Sequence, residues 1–223
     1  MPEGTENLRR RFRSVQAAAA AGIVYAICSS VALTILLASP AVSAPQAEVR
    51  EYYGRAQAGD QVMLAINLMI VSVIGFLWFM AVIRHHIGIN EPKLFGTVFF
   101  GGGLLYAGLL LVGSAALAAP AVLVGVGEQV VDPGTAAMAR SVGVVILAGF
   151  ATRVQALFLS ATSTLGLRTG TLPRWSVVVS YLIGLVLFVD ITFTQPSIYL
   201  FPAWVALVSI VLIFRPPRRA LNE

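Results

Sequence analysis

Apolar residues fill long runs of this chain, and polar residues do little more than punctuate them. Crossing the hydrocarbon core of a bilayer as a helix takes about 20 predominantly apolar residues. The runs 17–39, 61–83, 95–119, 141–166, 175–194 and 197–214 approach or exceed that length. The pattern predicts an all-α, polytopic membrane bundle of about six transmembrane helices. Residues 1–16 form a basic N-terminus, 17–214 the membrane domain and 215–223 a basic tail.

The punctuation gives the connections. TQPS at 194–197 leaves room only for a tight hairpin between the last two runs. The polar stretch EVREYYGRAQAGD within 40–60 mixes charges with tyrosines and suits a short surface helix. The segment 120–137 is apolar but carries Pro120, Gly125, Gly127 and the Pro133-Gly134 turn signal, so the third span is expected to close before it. That segment is then expected to lie in the interface or fold back over the bundle mouth. In the third run, Gly101, Gly102 and Gly103 each weaken a helix by about 1 kcal/mol relative to alanine. Together with Ala107 they present small residues against which another helix can pack closely.

Composition strengthens the membrane reading. The 223 residues are 58% hydrophobic and only 11% charged, too few to cover a water-facing surface. Mean hydropathy is +0.86. The net charge of +5 would suggest nucleic acid in a soluble protein. Here the basic residues gather at the ends of apolar runs, so they are expected to orient the chain and meet anionic lipid headgroups; nucleic acid is not an expected partner. With the N-terminus inside, Arg9, Arg10, Arg11, Arg13, Arg84, Lys93, Arg168, Arg174, Arg215, Arg218 and Arg219 fall on the inner side. Arg50, Arg55 and Arg140 fall outside, beside Glu48, Glu51, Asp60, Glu128 and Asp132. That asymmetry predicts both termini in the cytoplasm. Trp78 and Trp175 lie near inner ends, where amphipathic rings are favoured. RRRFR followed by an apolar run, with VSA at 42–44, imitates a signal peptide. Pro45 directly after that site, and a run longer than the roughly 7–15 residues of such signals, favour an uncleaved first span.

Candidate chemistry starts from Arg153 in AGFATRVQALFLSATSTLGLR, because a guanidinium stays protonated wherever it is placed. At a helix centre in lipid it costs about 2.5–3.5 kcal/mol on insertion scales, so it needs a partner or a polar cavity. Asp190 is the one acidic residue inside a run. Arg153 is 15 residues from Arg168, and Asp190 is 16 from Arg174. At 1.5 Å per residue both stand roughly 23 Å above the inner charges, so a hairpin through RTGTLPR sets them level and a buried ion pair is expected. The same ruler puts Asn67, Tyr106, Tyr199 and the Cys28-Ser29-Ser30 triplet near that height, with Gln155 within about one helical turn of Arg153. Arg153, Asp190, Asn67, Gln155, Tyr106 and Tyr199 are therefore the candidate ligand-binding set. The rival reading is architectural: the pair locks two helices, and Asn67 or a tyrosine fills its remaining hydrogen bonds.

Other groups point to less. His85 and His86 are adjacent on a helix end with Glu91 as the nearest carboxylate, a poor ligand set, so no metal is expected. Glu128 and Asp132 are spaced i,i+4 but separated by a turn signal, which favours a loop over a carboxylate pair. Cys28 alone supports neither a disulfide nor a thiolate zinc site. No P-loop, HExxH or GxSxG is found, so neither a cofactor nor a catalytic residue is assigned.

LGLRTGTLPRW at 165–175 and FPAWVALVSIVLIFR at 201–215 resemble segments of a broad group of uncharacterised six-span bacterial integral membrane proteins. There an inner RTGxLPRW turn precedes a span, and the last span ends in a basic tail. The resemblance implies a multi-pass protein of the bacterial plasma membrane and no particular activity. The expected function is binding or transport of a small ligand at the polar level around Arg153 and Asp190. The alternatives are a structural or regulatory subunit packing against a membrane-protein partner, and a lipid- or quinone-modifying enzyme.

Overall fold

The structure is a computed structural model that describes residues 3–87, 93–127, 130–170, 172–190 and 195–214. Its side chains are described from Ala20 onward, apart from those of 56, 85–87, 93, 126–127 and 195–196. All regular structure among these residues is helical: α1 Glu3–Leu37, α2 Gln46–Gly54, α3 Ala56–Ile87, α4 Lys93–Gly127, α5 Pro133–Val144, a π-helical stretch Val145–Ala151, α6 Thr152–Thr169, α7 Arg174–Val189, a 3₁₀ turn Gln195–Tyr199 and α8 Leu200–Phe214. Among the described residues, five stretches are long and apolar enough to cross a membrane: Ala20–Leu37, Gln57–Arg84, Leu94–Gly125, Pro133–Thr169 and Ser197–Phe214. Arg174–Val189 is apolar but shorter.

The third, fourth and fifth runs differ from the sequence expectation in ways that bear on the site. The third span does not close before Pro120; α4 carries that proline inside it and runs on to Gly127. A proline removes one helical N–H, whereas ending the helix in an apolar setting would strand several carbonyls. The fourth run extends beyond 141–166 at both ends, with α5, the π stretch and α6 continuous from Pro133 to Thr169. Asp132 starts it as an N-cap, its Oδ1 accepting from the Gly134 and Thr135 amides at 2.8 and 3.1 Å. The fifth run stops short of 194: α7 ends at Val189 and Asp190 turns extended at ψ 101°. The surface helix expected within 40–60 is α2, which buries Val49 and Tyr53.

The RTGTLPR connection follows from its residues. Gly170 closes α6 at φ 69°, a left-handed conformation that suits glycine. The Leu172 amide returns to the Gly166 carbonyl at 3.3 Å, and the Leu172 side chain lies where a Gly166 side chain would be. Pro173 then starts α7.

α1 packs against both α3 and α8, and α4 against α3, α5 and α6; α7 lies mainly along α6. Gly75 lets α3 touch the α1 backbone, since a side-chain carbon there would stand 2.9 Å from the Ala21 carbonyl oxygen. The centre is aromatic: Tyr25, Phe76, Phe79, Phe99, Tyr106, Phe158, Phe201 and Trp204 are all buried. Their rings meet mostly edge-on, with centroids 5.2 Å apart for Phe76–Tyr106 and 4.8 Å for Tyr106–Phe201. Five helices contribute to this cluster, which fixes where polar groups can enter the bundle. The outward faces stay apolar, as on α7, where Leu182, Leu185 and Phe188 are about three-fifths exposed.

Candidate functional site

The π stretch decides what Arg153 can reach. Ordinary α-helical registry ends at Val144 and resumes at Thr152, with wider turns between. Short π segments inside α-helices recur at functional sites and shift the side chains that follow. Here two side chains fold back onto the end of that stretch. The Thr152 hydroxyl donates to the Ala148 carbonyl at 2.7 Å and approaches that of Gly149 at 3.1 Å. The Arg153 guanidinium donates through Nη1 to the same carbonyls, at 3.0 and 2.7 Å, and to Thr152 Oγ1 at 3.2 Å.

The other arm of the guanidinium crosses to α7. Nη2 donates to the main-chain carbonyl oxygen of Asp190 at 2.7 Å. The hairpin thus brings Arg153 and Asp190 together, and this contact is made to the main-chain carbonyl of Asp190. The reason lies in the helix end. The last carbonyls of α7 have no intrahelical N–H to accept, and they form the negative end of the helix dipole. A half-buried arginine is well suited to that place. Arg140 repeats the arrangement at the end of α1, its Nη1 donating to the Leu37 and Ser39 carbonyls at 3.1 and 2.7 Å and to Ser39 Oγ at 2.6 Å.

Gln155 stands two residues from Arg153, which is about 200° around the helix. It therefore faces the core. There the Tyr25 and Tyr106 hydroxyls share a hydrogen bond of 2.5 Å, and both residues are buried. Gln155 approaches Tyr106 and is 2% exposed. No described group donates to its Oε1. The single polar level read from the sequence is thus split by α6 into an Arg153–Asp190 junction on one face and a Tyr25–Tyr106–Gln155 line on the other.

The remaining candidates go elsewhere. Asn67 is exposed on α3, away from both groups, with Nδ2 donating to the Met63 carbonyl at 2.9 Å. Helical phase sets this: Ala65 and Met69 take the core-facing positions around it. Tyr199 lies in the 3₁₀ turn and its hydroxyl meets Thr34 Oγ1 at 3.1 Å. Among the α4 small residues, Gly102, Gly103 and Ala107 are buried, and Gly103 sits tight against Met80 and Phe158. Gly101 is exposed with nothing near it. The side chains of His85 and His86, and all of Glu91 and Glu128, lie outside the described residues. Among the described residues no three metal-ligating side chains cluster.

Tyr25, Thr152 and the π stretch were missed in the sequence. Tyr25 has the same mid-span signal as Tyr106, and height alone does not separate it from the neighbouring Cys28-Ser29-Ser30. Nothing in VILAGFA announces a π turn.

Outside the spans, electrostatics are simple. Burial pushes the Tyr53 phenol on α2 up to about 12, with Tyr52 and Arg140 as smaller influences. Tyr53 therefore stays neutral beside Arg140. The Thr135 hydroxyl and amide hold the Asp132 carboxyl below its ordinary range. No protein-family model matches the chain, and no curated protein or solved structure is similar to it.

Proposed function

We propose that this is a multi-pass protein of a bacterial plasma membrane, with six spans and cytoplasmic termini, that binds or moves a small polar ligand through the buried line of Tyr25, Tyr106 and Gln155. One observation carries the reading. Gln155 places a carbonyl oxygen in the aromatic centre with no donor from the described chain. A buried acceptor left unmet costs about 1–3 kcal/mol, so a bound molecule that donates to it would be held there. An N–H or O–H group on a small uncharged molecule fits, since the surrounding side chains carry no charge. Arg153 is then a positioning residue whose guanidinium holds α7 against α6.

The topology follows from the excess of Arg and Lys at one set of helix ends. In support, Trp78 and Trp175 are 64% and 49% exposed near the expected inner ends. Arg84 and Arg168 lie over Phe100 and Phe95 of α4, 5.4 and 4.8 Å from the ring centres, which suits guanidinium groups at an interface with anionic headgroups.

The test is a thermal-shift screen of small polar molecules on purified protein, run beside Gln155→Met. Compounds that stabilise the wild type should shift the variant by less than half as much. Equal shifts for every active compound would refute binding at Gln155.

The subunit reading keeps one observation in its favour. Gly101, Gly108 and Ala115 recur at seven-residue spacing on the exposed face of α4, and nothing lies near either glycine. Such a face accommodates another transmembrane helix at close range.

A further inference from the structure

Asn67 stands in a place where an amide is expensive. It lies 7 residues from Asp60 and 17 from Arg84, with no charged residue between 61 and 83. At the rise of a helix that is about 10 Å inside the outer acid and about 26 Å from the inner arginine, well within the hydrocarbon. The residue is exposed. Its amide makes one hydrogen bond among the described residues, Nδ2 to the Met63 carbonyl, and its Oδ1 accepts none. Hydrocarbon offers no partner for the rest.

The exposed residues around it are ordered. Met63, Asn67, Ile70, Ile74, Leu77 and Ala81 are all exposed and follow alternating steps of four and three. That is the seam of a left-handed helix pair, with Asn67 at an inner position. Asparagine at one such position sets register and favours two strands. An amide is both donor and acceptor, so it is complementary to a copy of itself. Two copies of this chain inserted the same way are related by an axis along the membrane normal, which places both Asn67 residues at one depth.

We propose that the exposed face of α3 is a homodimer interface, with the two Asn67 amides hydrogen-bonded across the two-fold axis. The occupant is a second copy rather than a lipid or a foreign helix, because only the second copy supplies a matching amide at matching depth by symmetry.

The experiment uses the full chain in lipid vesicles. Association is followed by single-molecule photobleaching as the protein-to-lipid ratio is varied. The wild type should dimerise. Asn67→Leu should raise the dissociation constant about 3- to 20-fold, the range set by measured side-chain hydrogen bonds between membrane helices. Its melting temperature in monomeric detergent micelles should stay that of the wild type, since Asn67 bonds only within its own helix. In a Cys28→Ala background, Ile74→Cys should cross-link two copies and Leu105→Cys, on the exposed face of α4, should not. A monomer at every ratio overturns the proposal. So does association unchanged by Asn67→Leu, or cross-linking through Leu105→Cys in place of Ile74→Cys.

Discussion

A guanidinium in a membrane helix cannot escape its cost by losing a proton, so acceptors must surround it. Arg153 finds three main-chain carbonyls and a hydroxyl, on Ala148, Gly149, Asp190 and Thr152. Arg153→Leu would strip a donor from each carbonyl and should cost about 2 kcal/mol, the scale of a charge-assisted hydrogen bond. Asp190→Asn keeps the carbonyl that Nη2 reaches and should cost less. Melting curves of the two variants in one detergent check the order; a more damaging Asp190→Asn would return the carboxylate to the centre of the contact. That Arg153 and Asp190 meet was legible, because heights along two helices joined by a short turn follow from residue counts. That the contact uses a carbonyl was not, because it depends on where α7 ends and on the π stretch before Arg153. Asn67 shows the same limit. Height placed it with Tyr106, while rotation about the helix, set by packing of its neighbours, put it outside.

Helix ends and close approaches govern the elements. Asp132 caps α5 through the Gly134 and Thr135 amides, so Asp132→Ala should lower stability. The folded carboxyl titrates below its ordinary range, chiefly through the Thr135 hydroxyl. The unfolded group titrates near about 3.9. Its contribution is therefore present above that value and is lost as the pH falls through the lower folded value. The stability gap between wild type and Asp132→Ala should hold at neutral pH and close on acidification below about 4. A gap that instead widens in acid would contradict the cap. Glycines divide sharply by position. Gly75→Ala pushes a methyl to 2.9 Å from the Ala21 oxygen and should separate α1 from α3 at a cost of about 1–3 kcal/mol. Gly101→Ala meets open space and should leave the purified protein unchanged or up to about 1 kcal/mol more stable. Thermal melts of both test this contrast, and comparable losses would contradict the packing. The sequence singled out Gly101 to Gly103 because they are consecutive, and overlooked Gly75 because a lone glycine in an apolar run looks ordinary.

At the scale of the whole molecule, the all-helical fold follows from composition and run length, and the runs map onto the observed helices. The least legible part was the interior. Residue counts give heights but not azimuths, so one apparent polar level became two groups on opposite faces of α6. The outer group is committed to helix ends. The inner group retains an acceptor, Gln155 Oε1, that no described residue meets. On that difference the account assigns architecture to Arg153 and ligand contact to Gln155. The most direct measurement is infrared difference spectroscopy of protein carrying isotope-labelled glutamine side chains. Gln155→Met identifies the Gln155 band, and a compound that stabilises the wild type is then added. The account predicts that the Gln155 carbonyl band moves on binding. A stabilising compound that leaves this band in place would contradict it.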